Sequence, residues 1–504
     1  MRLSRLRRAA LLAGISSLCA PVLIHGQSLD GMKGKVKERV LSNGMKVIVM
    51  ERHDAPVASF HVYADVGSAN ESYGITGISH LLEHMAFKGS TTVGTTDYAQ
   101  ESVALARLDS VYEEMQREVR RPRPDSTRLA VLRQQFAALE AEAKRYVVTD
   151  EFIDLLRKEG DRSVNAYTSN DATQYINSLP SNRLEFWMAI TSDRFLNPVF
   201  REFYKERDVV MEERRLSLET RPIGKLTEDF LATAFKAHPY HHTVIGHMSD
   251  LQRITRKDVE SYFRTYYIPS NMVVAIVGDV QPEEVFRLAE LYFGRIPSGP
   301  KPEEPRTEEP EQWGERRVQV VAQSEPILVV GYHRPSIRHD DHFPLDALAN
   351  IVGVGRSSRL YQEMVKNRKI AIQTGCFNGF PGQKYPNLIA FYAVPAKDHT
   401  STECLQVLDE EIEKLKRAPV TDEELNKYKR MTKKDLLDQM KSNAGMAEML
   451  ANAEVLLGDW RATFEQLKRV DAVTAADVQR VANTYLTSRN RTIGEIVPEK
   501  GSAQ

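Results

Sequence analysis

The feature of this sequence that most constrains its fold is an internal repeat. The pattern Ile-Thr-x-x-Asp-Val at positions 254–259 returns as Val-Thr-x-x-Asp-Val at positions 473–478, and a Tyr and an Asn follow each copy at the same distances. Each copy reads as a helix that runs into a strand, at 272–277 in the first copy and at 491–496 in the second. The repeat therefore predicts an α+β fold of two homologous domains in tandem, each an antiparallel-rich sheet covered by helices.

Shifts in composition predict where these domains begin and end. The chain has 504 residues, which is too long for one hydrophobic core. Residues 297–315 are rich in Pro and Glu and have the composition of a linker. The first domain is therefore expected at 28–296 and the second at 316–504. Strand patterns at 45–49, 57–64 and 165–176 belong to the first domain.

A helical insertion is expected within the first domain, at about 96–160. Apolar residues recur there at spacings of three and four, at Leu132, Phe136, Leu139 and Ala143. The run Arg-Arg-Pro-Arg-Pro at 120–124 interrupts this pattern, because proline breaks helices. The sequence predicts two helical arms and leaves open whether they act as a lid, contact a partner or do neither.

The first 27 residues have the layout of a secretory signal peptide. Arg2, Arg5, Arg7 and Arg8 precede an apolar run that extends to about position 24. A short N-terminal membrane anchor is the alternative, because the cleavage site lacks a clean Ala-x-Ala. We expect an exported protein, with the periplasm as its location and no membrane attachment once the signal is cleaved.

Charge and cysteine content argue against two classes of protein. The first 27 residues contain four arginines and no acidic residue, so the formal net charge changes from −1 to −5 when they are removed. A chain of that charge is not expected to bind nucleic acid. Only Cys376 and Cys404 then remain, which is too few for a disulfide-built scaffold. Whether these two cysteines pair stays open.

The segment His80-Leu-Leu-Glu83-His84 indicates a metal site. On a helix, His80 and His84 share one face and can bind one ion, while Glu83 lies beside them. Imidazole and carboxylate groups suit zinc, and a catalytic zinc site leaves one position open for water. The order His-x-x-Glu-His is the inverse of the commoner zinc-peptidase motif. A zinc-dependent hydrolase is therefore the first hypothesis.

A third protein ligand must come from elsewhere in the chain. Glu206 and Glu213 are seven residues apart in a segment that reads as a helix, so they lie on one face of it, and Glu213 is the predicted ligand. The alternative for this segment is an ordinary charged, solvated helix. A second group, His238, His241, His242 and His247, surrounds Pro239 in a turn, so we expect a structural or solvated loop there.

Three blocks of sequence together resemble the insulinase/pitrilysin family of inverted zinc metallopeptidases, in the branch of half-length subunits that includes mitochondrial processing peptidase. The blocks are 74–89, 165–170 and 206–213, in that order. The resemblance implies half of a clamshell chamber that receives peptides or unfolded polypeptide segments. It implies that His80, His84 and Glu213 are the zinc ligands, that Glu83 is the general base and that Glu206 is a supporting acid. It also implies that Asn165 and Ala166 lie on an edge strand that pairs with substrate backbone.

The resemblance also implies one zinc ion per chain and a partner chain. Full-length family members and some partner subunits carry an Arg followed seven positions later by a Tyr, just after a Ser-Arg-Leu helix. Here the corresponding residues after 358–360 are Val365 and Ile372. The sequence therefore predicts a heterodimer whose homologous partner supplies the Arg/Tyr pair, with a homodimer as the alternative.

Two function classes follow. The first is a zinc metalloendopeptidase, in which Glu83 takes the proton of the attacking water. The second is a non-catalytic scaffold or peptide-binding subunit of the same fold, because a fold alone does not establish activity. The presence of all three predicted ligands together with Glu83 favours the enzyme. The substrate and its cleavage preference stay open.

Overall fold

The computed structural model describes residues 29–499, so the predicted signal peptide lies outside the described residues. These residues form two β-sheets, each with helices packed on it. The predicted α+β fold of two sheet-and-helix domains is confirmed. Within residues 29–499, no helix is long and apolar enough to cross a bilayer.

The first sheet is built from strands in the first half of the chain. In the described residues its strands are β1 (Val36–Val40), β2 (Lys46–Glu51), β3 (Val57–Ala64), β4 (Asn165–Thr168), β5 (Thr173–Pro180) and β6 (Met272–Gly278). Their order across the sheet is β1-β2-β6-β3-β5-β4. The β2–β6 pair is parallel and the other pairs are antiparallel. Every residue of β6 is buried, as expected of a central strand that reads Met-Val-Val-Ala-Ile-Val-Gly.

The second sheet repeats this arrangement. Its strands in the described residues are β7 (Arg316–Ala322), β8 (Ile327–Arg334), β9 (Ala371–Phe380), β10 (Asn387–Pro395) and β11 (Arg491–Pro498). Their order is β7-β11-β8-β10-β9, with β7–β11 parallel and the other pairs antiparallel. Position by position, β7, β11, β8, β10 and β9 therefore correspond to β2, β6, β3, β5 and β4.

Helices make up most of the rest of the described chain. In the first half they are α1 (Leu29–Gly34), α2 (Ile78–Met85), α3 (Tyr98–Val119), α4 (Ser126–Lys144), α5 (Glu151–Lys158), α6 (Leu184–Leu196), α7 (Phe203–Arg214), α8 (Pro222–Ala234), α9 (Met248–Leu251), α10 (Arg256–Tyr266) and α11 (Pro282–Tyr292). In the second half they are α12 (His342–Gly353), α13 (Ser401–Arg417), α14 (Asp422–Lys441), α15 (Asn443–Asn452), α16 (Ala462–Ala472) and α17 (Ala475–Tyr485).

The internal repeat has a local physical cause. In both copies a threonine and an aspartate three residues later form a capping box, Thr255 with Asp258 before α10 and Thr474 with Asp477 before α17. Each helix leads into the strand that pairs in parallel with one neighbour and antiparallel with the other. The repeated residues therefore start the same helix–strand unit twice.

One helix of each domain packs on the sheet of the other domain. The main core of the first domain packs α2, α6, α7, α10 and α11 on one face of its sheet. On the other face, Met446 and Leu450 of α15 join Ile48 and Val277 in a separate buried cluster. In return, Phe230 of α8 lies on the second sheet, where Gly331 and Gly494 leave room for its ring. The two sheets are therefore joined by apolar packing.

One strand prediction is wrong. The segment 165–176 was expected to be a single strand, but it contains all of β4, a turn at 169–172 and the start of β5. Ser169 stabilises this turn, because its hydroxyl accepts hydrogen bonds from the backbone N–H groups of Asp171 and Ala172. The result is a hairpin whose outer strand, β4, lies at the edge of the sheet.

Candidate metal centre

Helix α2 presents the predicted metal-binding residues on its polar side. Ile78, Leu81, Leu82 and Met85 are buried in the core of the first domain. His80, Glu83 and His84 lie on the other side of the helix and are half-buried. The 3.6-residue period thus separates the core-facing side from the site.

The start of α2 is fixed by a buried carboxyl group. Gly77, with φ +89°, precedes the helix and lies too close to Ile245 for a side chain to be accommodated. Glu71 accepts hydrogen bonds from the backbone N–H groups of Gly77 and Ser79, each at 2.8 Å. Burial raises the pKa of Glu71 to about 8, although these two hydrogen bonds favour its charged form. Glu71 therefore positions the helix that carries the histidines.

Helix α7 supplies two carboxylates to the same place. Glu206 and Glu213 lie on the side of α7 that faces α2, while Tyr204 and Val210 are buried in the core. The predicted spacing of seven residues thus puts both acids beside the histidines.

The atoms of His80, His84 and Glu213 converge. The Nε2 atom of His80 is 3.1 Å from Glu213 Oε2, and the Nε2 atom of His84 is 3.8 Å from the same oxygen. The three ligand atoms lie within 4.8 Å of one another. Among residues 29–499, this is the one group of three or more His, Cys, Asp or Glu side chains that could hold a metal ion. Tetrahedral zinc with bonds near 2.1 Å requires ligand atoms about 3.4 Å apart. The observed distances bracket that value, so the donor set fits zinc.

The other ring nitrogen of His84, Nδ1, faces an ion pair formed by Glu206 and Lys88. His84 Nδ1 is 3.6 Å from Glu206 Oε2, and Glu206 Oε1 is 2.7 Å from the Lys88 ammonium. Burial alone would raise the pKa of Glu206, but hydrogen bonding to His84 and Lys88 lowers it to about 2. Glu206 is therefore ionised and can orient the ring of His84.

Glu83 lies next to the ligands and is held by a hydroxyl group. The hydroxyl of Thr168 in β4 donates a 2.7 Å hydrogen bond to Glu83 Oε2, and His80 Nδ1 is 3.6 Å from the same oxygen. Burial would raise the pKa of Glu83, but the hydrogen bonds to His80 and Thr168 lower it. The carboxylate is therefore ionised at neutral pH and can accept a proton.

The ligand side of the site is accessible to solvent. The Glu213 side chain is 46% exposed, whereas Glu83 and Glu206 are each 13% exposed. Burial would lower the pKa of His80, but hydrogen bonds to Glu213 and Glu83 raise it to about 9. A metal ion binding here would therefore displace a proton from His80.

Asn165 and Ala166 lie on the edge strand beside the site. Asn165 is exposed and Ala166 is half-buried. In the described part of the chain β4 forms a ladder with β5 and with no other strand. The outer edge of β4 therefore presents backbone groups that an extended peptide can pair with. The roles assigned to all seven predicted site residues stay predictions.

The second histidine group does not gather around one point. His241 contacts the Tyr73 hydroxyl at 2.8 Å, and His247 Nδ1 is 3.4 Å from Glu228. His238 and His242 are buried, and burial lowers the pKa of each to about 4. These residues serve local contacts of a loop.

Sequence reasoning missed Thr168, Lys88 and Glu71. Thr168 belongs to the Asn-Ala-Tyr-Thr block, and strand alternation places it on the same face as Ala166. The two-residue period of the strand could therefore have indicated that Thr168 and Ala166 share a face, but it does not show which helix packs on that face. Lys88 lies beyond the end of α2 and Glu71 lies before its start, so no helical spacing connects them to the site.

Two family models match most of the chain. The model described as "Insulinase (Peptidase family M16)" matches residues 46–112 and 139–247, and the model described as "Peptidase M16 inactive domain" matches residues 253–432. The first match thus covers the metal centre. Residues 113–138, the outer part of α3 and α4 with the turn between them, lie outside both matches.

The chain is similar to proteases over nearly its whole length. It is 28% identical to "Zinc protease PqqE" of Helicobacter pylori, over 95% of this chain and 97% of that protein. It is 26% identical to "Probable mitochondrial-processing peptidase subunit beta, mitochondrial" of Arabidopsis thaliana, over 95% of this chain and 81% of that protein. The solved structure of a protease from Helicobacter pylori superposes with a TM-score of 0.77 at 27% identity, covering 92% of this chain and 100% of that one.

Proposed function

Because the chain belongs to the insulinase (M16) family of peptidases, in its half-length branch, we propose that it is a zinc-dependent endopeptidase. Its substrates are peptides or unfolded polypeptide segments. The observation that carries this proposal is the convergence of His80, His84 and Glu213 beside an ionised Glu83. A scaffold subunit has no use for a preassembled ligand set with a base at its side.

Each residue of the centre has a defined task in this proposal. His80, His84 and Glu213 hold one zinc ion. Zinc, when bound, supplies Lewis acidity that makes a water molecule more acidic and polarises the scissile carbonyl. Glu83 accepts the proton of the attacking water and returns it to the leaving amine.

The surrounding residues keep these groups in place. Thr168 donates to one oxygen of Glu83 and leaves the other free to accept a proton. Glu206, anchored by Lys88, orients His84 from behind. The outer edge of β4 pairs with the backbone of an extended substrate, which makes recognition tolerant of sequence.

The test is zinc content and hydrolysis of a quenched peptide library, measured with and without a homologous partner that carries the Arg/Tyr pair, for three proteins: the unaltered chain, Glu83→Gln and Glu212→Gln. Glu212 is the exposed neighbour of Glu213 and bonds to Arg215, so it serves as the matched control. We expect one zinc per chain in all three and loss of turnover by about 10²–10⁴-fold in Glu83→Gln alone. A chain that binds no zinc and cleaves nothing, alone or with a partner, belongs to the scaffold class instead.

We further propose that the active form is a heterodimer with a homologous chain. The positions where the family has an Arg/Tyr pair hold Val365 and Ile372, and Ile372 is exposed on β9. Neither apolar side chain can donate to a developing oxyanion. The Arabidopsis relative is named as a subunit, which agrees with pairing in this family. A homodimer with full activity would refute the heterodimer.

The partner is tested by running the peptide assay with the chain alone and after mixing with a homologue that carries the Arg/Tyr pair. Activity that appears only in the mixture supports the heterodimer.

From the N-terminal pattern, we propose that the chain is exported to the periplasm. Sequencing the mature N-terminus of the purified native protein tests this location.

A further inference from the structure

We propose that Asp171 is a positioning residue through which the second domain fixes the β4–β5 hairpin at the metal centre. The proposal rests on the proposed peptidase function, because it concerns the alignment of Thr168 with Glu83. It assigns the second domain a direct part in the geometry of a site made wholly of first-domain residues.

Asp171 joins three segments of the chain. It lies in the turn between β4 and β5 and is 8% exposed. One carboxylate oxygen accepts the hydroxyl of Tyr240, from the loop after α8. The other accepts the backbone N–H groups of Gln383 at 2.7 Å and Lys384 at 3.1 Å, from the second-domain loop between β9 and β10. We call these four residues the Asp171 junction.

The fit at the Asp171 junction is close. A methyl group on Gly382 would overlap the Tyr240 hydroxyl and lie 2.8 Å from a carboxylate oxygen of Asp171. The Lys384 ammonium is buried and binds Asp65 at the end of β3, at 2.6 Å. The loop is therefore tied to two neighbouring strands of the first sheet.

The turn that holds Asp171 is connected to the metal centre by two short routes. Thr168, three residues before Asp171, donates to Glu83. The carbonyls of Ser169 and Asn170 accept the N–H groups of Ser68 and Ala69, at 3.1 Å and 2.9 Å. Those residues lead directly to Glu71, which holds the start of α2. A displaced turn therefore moves the Thr168 hydroxyl away from Glu83, while the hydrogen bonds of Glu71 keep the start of α2 in place.

The hairpin provides a matched control. Asp161 is also buried, and it accepts Ser163 N–H at 2.8 Å and the Asn177 amide at 2.6 Å. These contacts stay within the first domain and lie at the opposite end of β4 and β5 from Asp171. Asp161→Asn therefore reports what any loss of a buried carboxylate does to this hairpin.

The first experiment measures hydrogen exchange across residues 165–172 in the full chain, in Asp171→Asn and in Asp161→Asn. Asparagine keeps the size of the side chain but loses the negative charge and one acceptor oxygen, so the charge-assisted hydrogen bonds that Asp171 accepts from Tyr240 and from the loop cannot all persist. We expect faster exchange in this segment for Asp171→Asn and not for Asp161→Asn. Equal exchange in the two variants would overturn the proposal, whether or not the protein cleaves peptides.

The second experiment is a double-mutant cycle on turnover with Thr168→Val. We expect Asp171→Asn to lower kcat by about ten-fold with zinc content unchanged, and to add little when the Thr168 hydroxyl is already absent. Independent, additive losses would mean that Asp171 acts on stability alone. Tyr240→Phe, which removes one hydroxyl, repeats both experiments if Asp171→Asn does not fold. No turnover by the unaltered chain, either alone or mixed with a homologue that carries the Arg/Tyr pair, would refute the peptidase function, and the exchange data would still decide the Asp171 junction.

Discussion

At the residue scale, the two histidine rings are held from both sides. Each Nε2 faces Glu213, while the Nδ1 atoms face different carboxylates, Glu83 for His80 and Glu206 for His84. A carboxylate behind a metal-binding imidazole fixes its tautomer and raises its basicity. The arrangement therefore gives Glu206 a role that is separable from that of the ligands.

We predict that Glu206→Gln weakens zinc binding by about 10–100-fold without abolishing it, because the ligands remain but His84 loses its charged support. Competition with a chelator of known affinity measures the change. Glu212→Gln, on the same helix and facing away from the site, is expected to bind zinc like the unaltered protein. Unchanged affinity in Glu206→Gln would show that Lys88 and Glu206 form a surface pair with no part in the site.

The residues of the metal centre differ in how well they could be predicted from the sequence. His80, Glu83 and His84 are close in sequence, so helical geometry alone places them together. Glu213 lies 129 positions beyond His84; the seven-residue spacing of Glu206 and Glu213 singled out its segment, and the resemblance supported that choice. Thr168 and Glu71 act through hydrogen bonds whose donors and acceptors belong to other elements. Such contacts depend on how the sheet and helices pack, which no local pattern encodes.

At the element scale, the exchanged helix α15 determines how strongly the domains are joined. Leu450 is fully buried in the cluster that joins α15 to the open face of the first sheet. We predict that Leu450→Ala lowers the free energy of unfolding by about 2–5 kcal/mol, the usual cost of such a cavity. Urea denaturation followed by circular dichroism measures it.

Leu437→Ala is the control for this prediction. Leu437 is on the adjacent helix α14 and is 42% exposed, so its removal is expected to change the free energy of unfolding by less than about 0.5 kcal/mol. A similarly small effect of Leu450→Ala would mean that the first sheet does not depend on α15. The two domains would then be expected to unfold separately.

The elements themselves were predictable to the extent that their signals are local. Strand β3 runs over the predicted residues 57–64, because β-branched and aromatic residues are concentrated there. The exchange of α8 and α15 was not predicted. An amphipathic helix shows that it has an apolar face, but it does not show which sheet will cover that face.

At the scale of the whole molecule, the duplication of the domain could be predicted from the sequence. The contact that the second domain makes beside the metal centre could not. The capping boxes at Thr255 and Thr474 repeat in sequence, so the tandem arrangement could be inferred. The contact of the second-domain loop with Asp171 joins residues more than 200 positions apart. It exists only because the two domains pack in one particular way.

The stability of the whole chain is expected to fall in mild acid, because some histidines are buried in uncharged form. Burial lowers the pKa of His61 to about 4, even though a 2.5 Å hydrogen bond to Gln174 favours the charged form. In the unfolded chain the pKa returns to its ordinary value of 6.5. Between pH 4 and pH 6.5 the unfolded state therefore binds more protons, and the free energy of unfolding decreases as the pH is lowered through that window.

Other groups titrate in the same range, so the contribution of His61 is isolated by a difference. The free energy of unfolding of the unaltered chain and of His61→Gln is measured by urea denaturation at several pH values between about 5 and 6. One proton per molecule corresponds to about 1.4 kcal/mol per pH unit, so the pH dependence of the variant is expected to be shallower by that amount. His339→Gln, at a side chain that is 51% exposed, serves as the control for loss of a surface histidine. Equal pH dependence in His61→Gln and the unaltered chain would show that His61 is charged or solvated in the folded protein, contrary to its burial between β5 and β6.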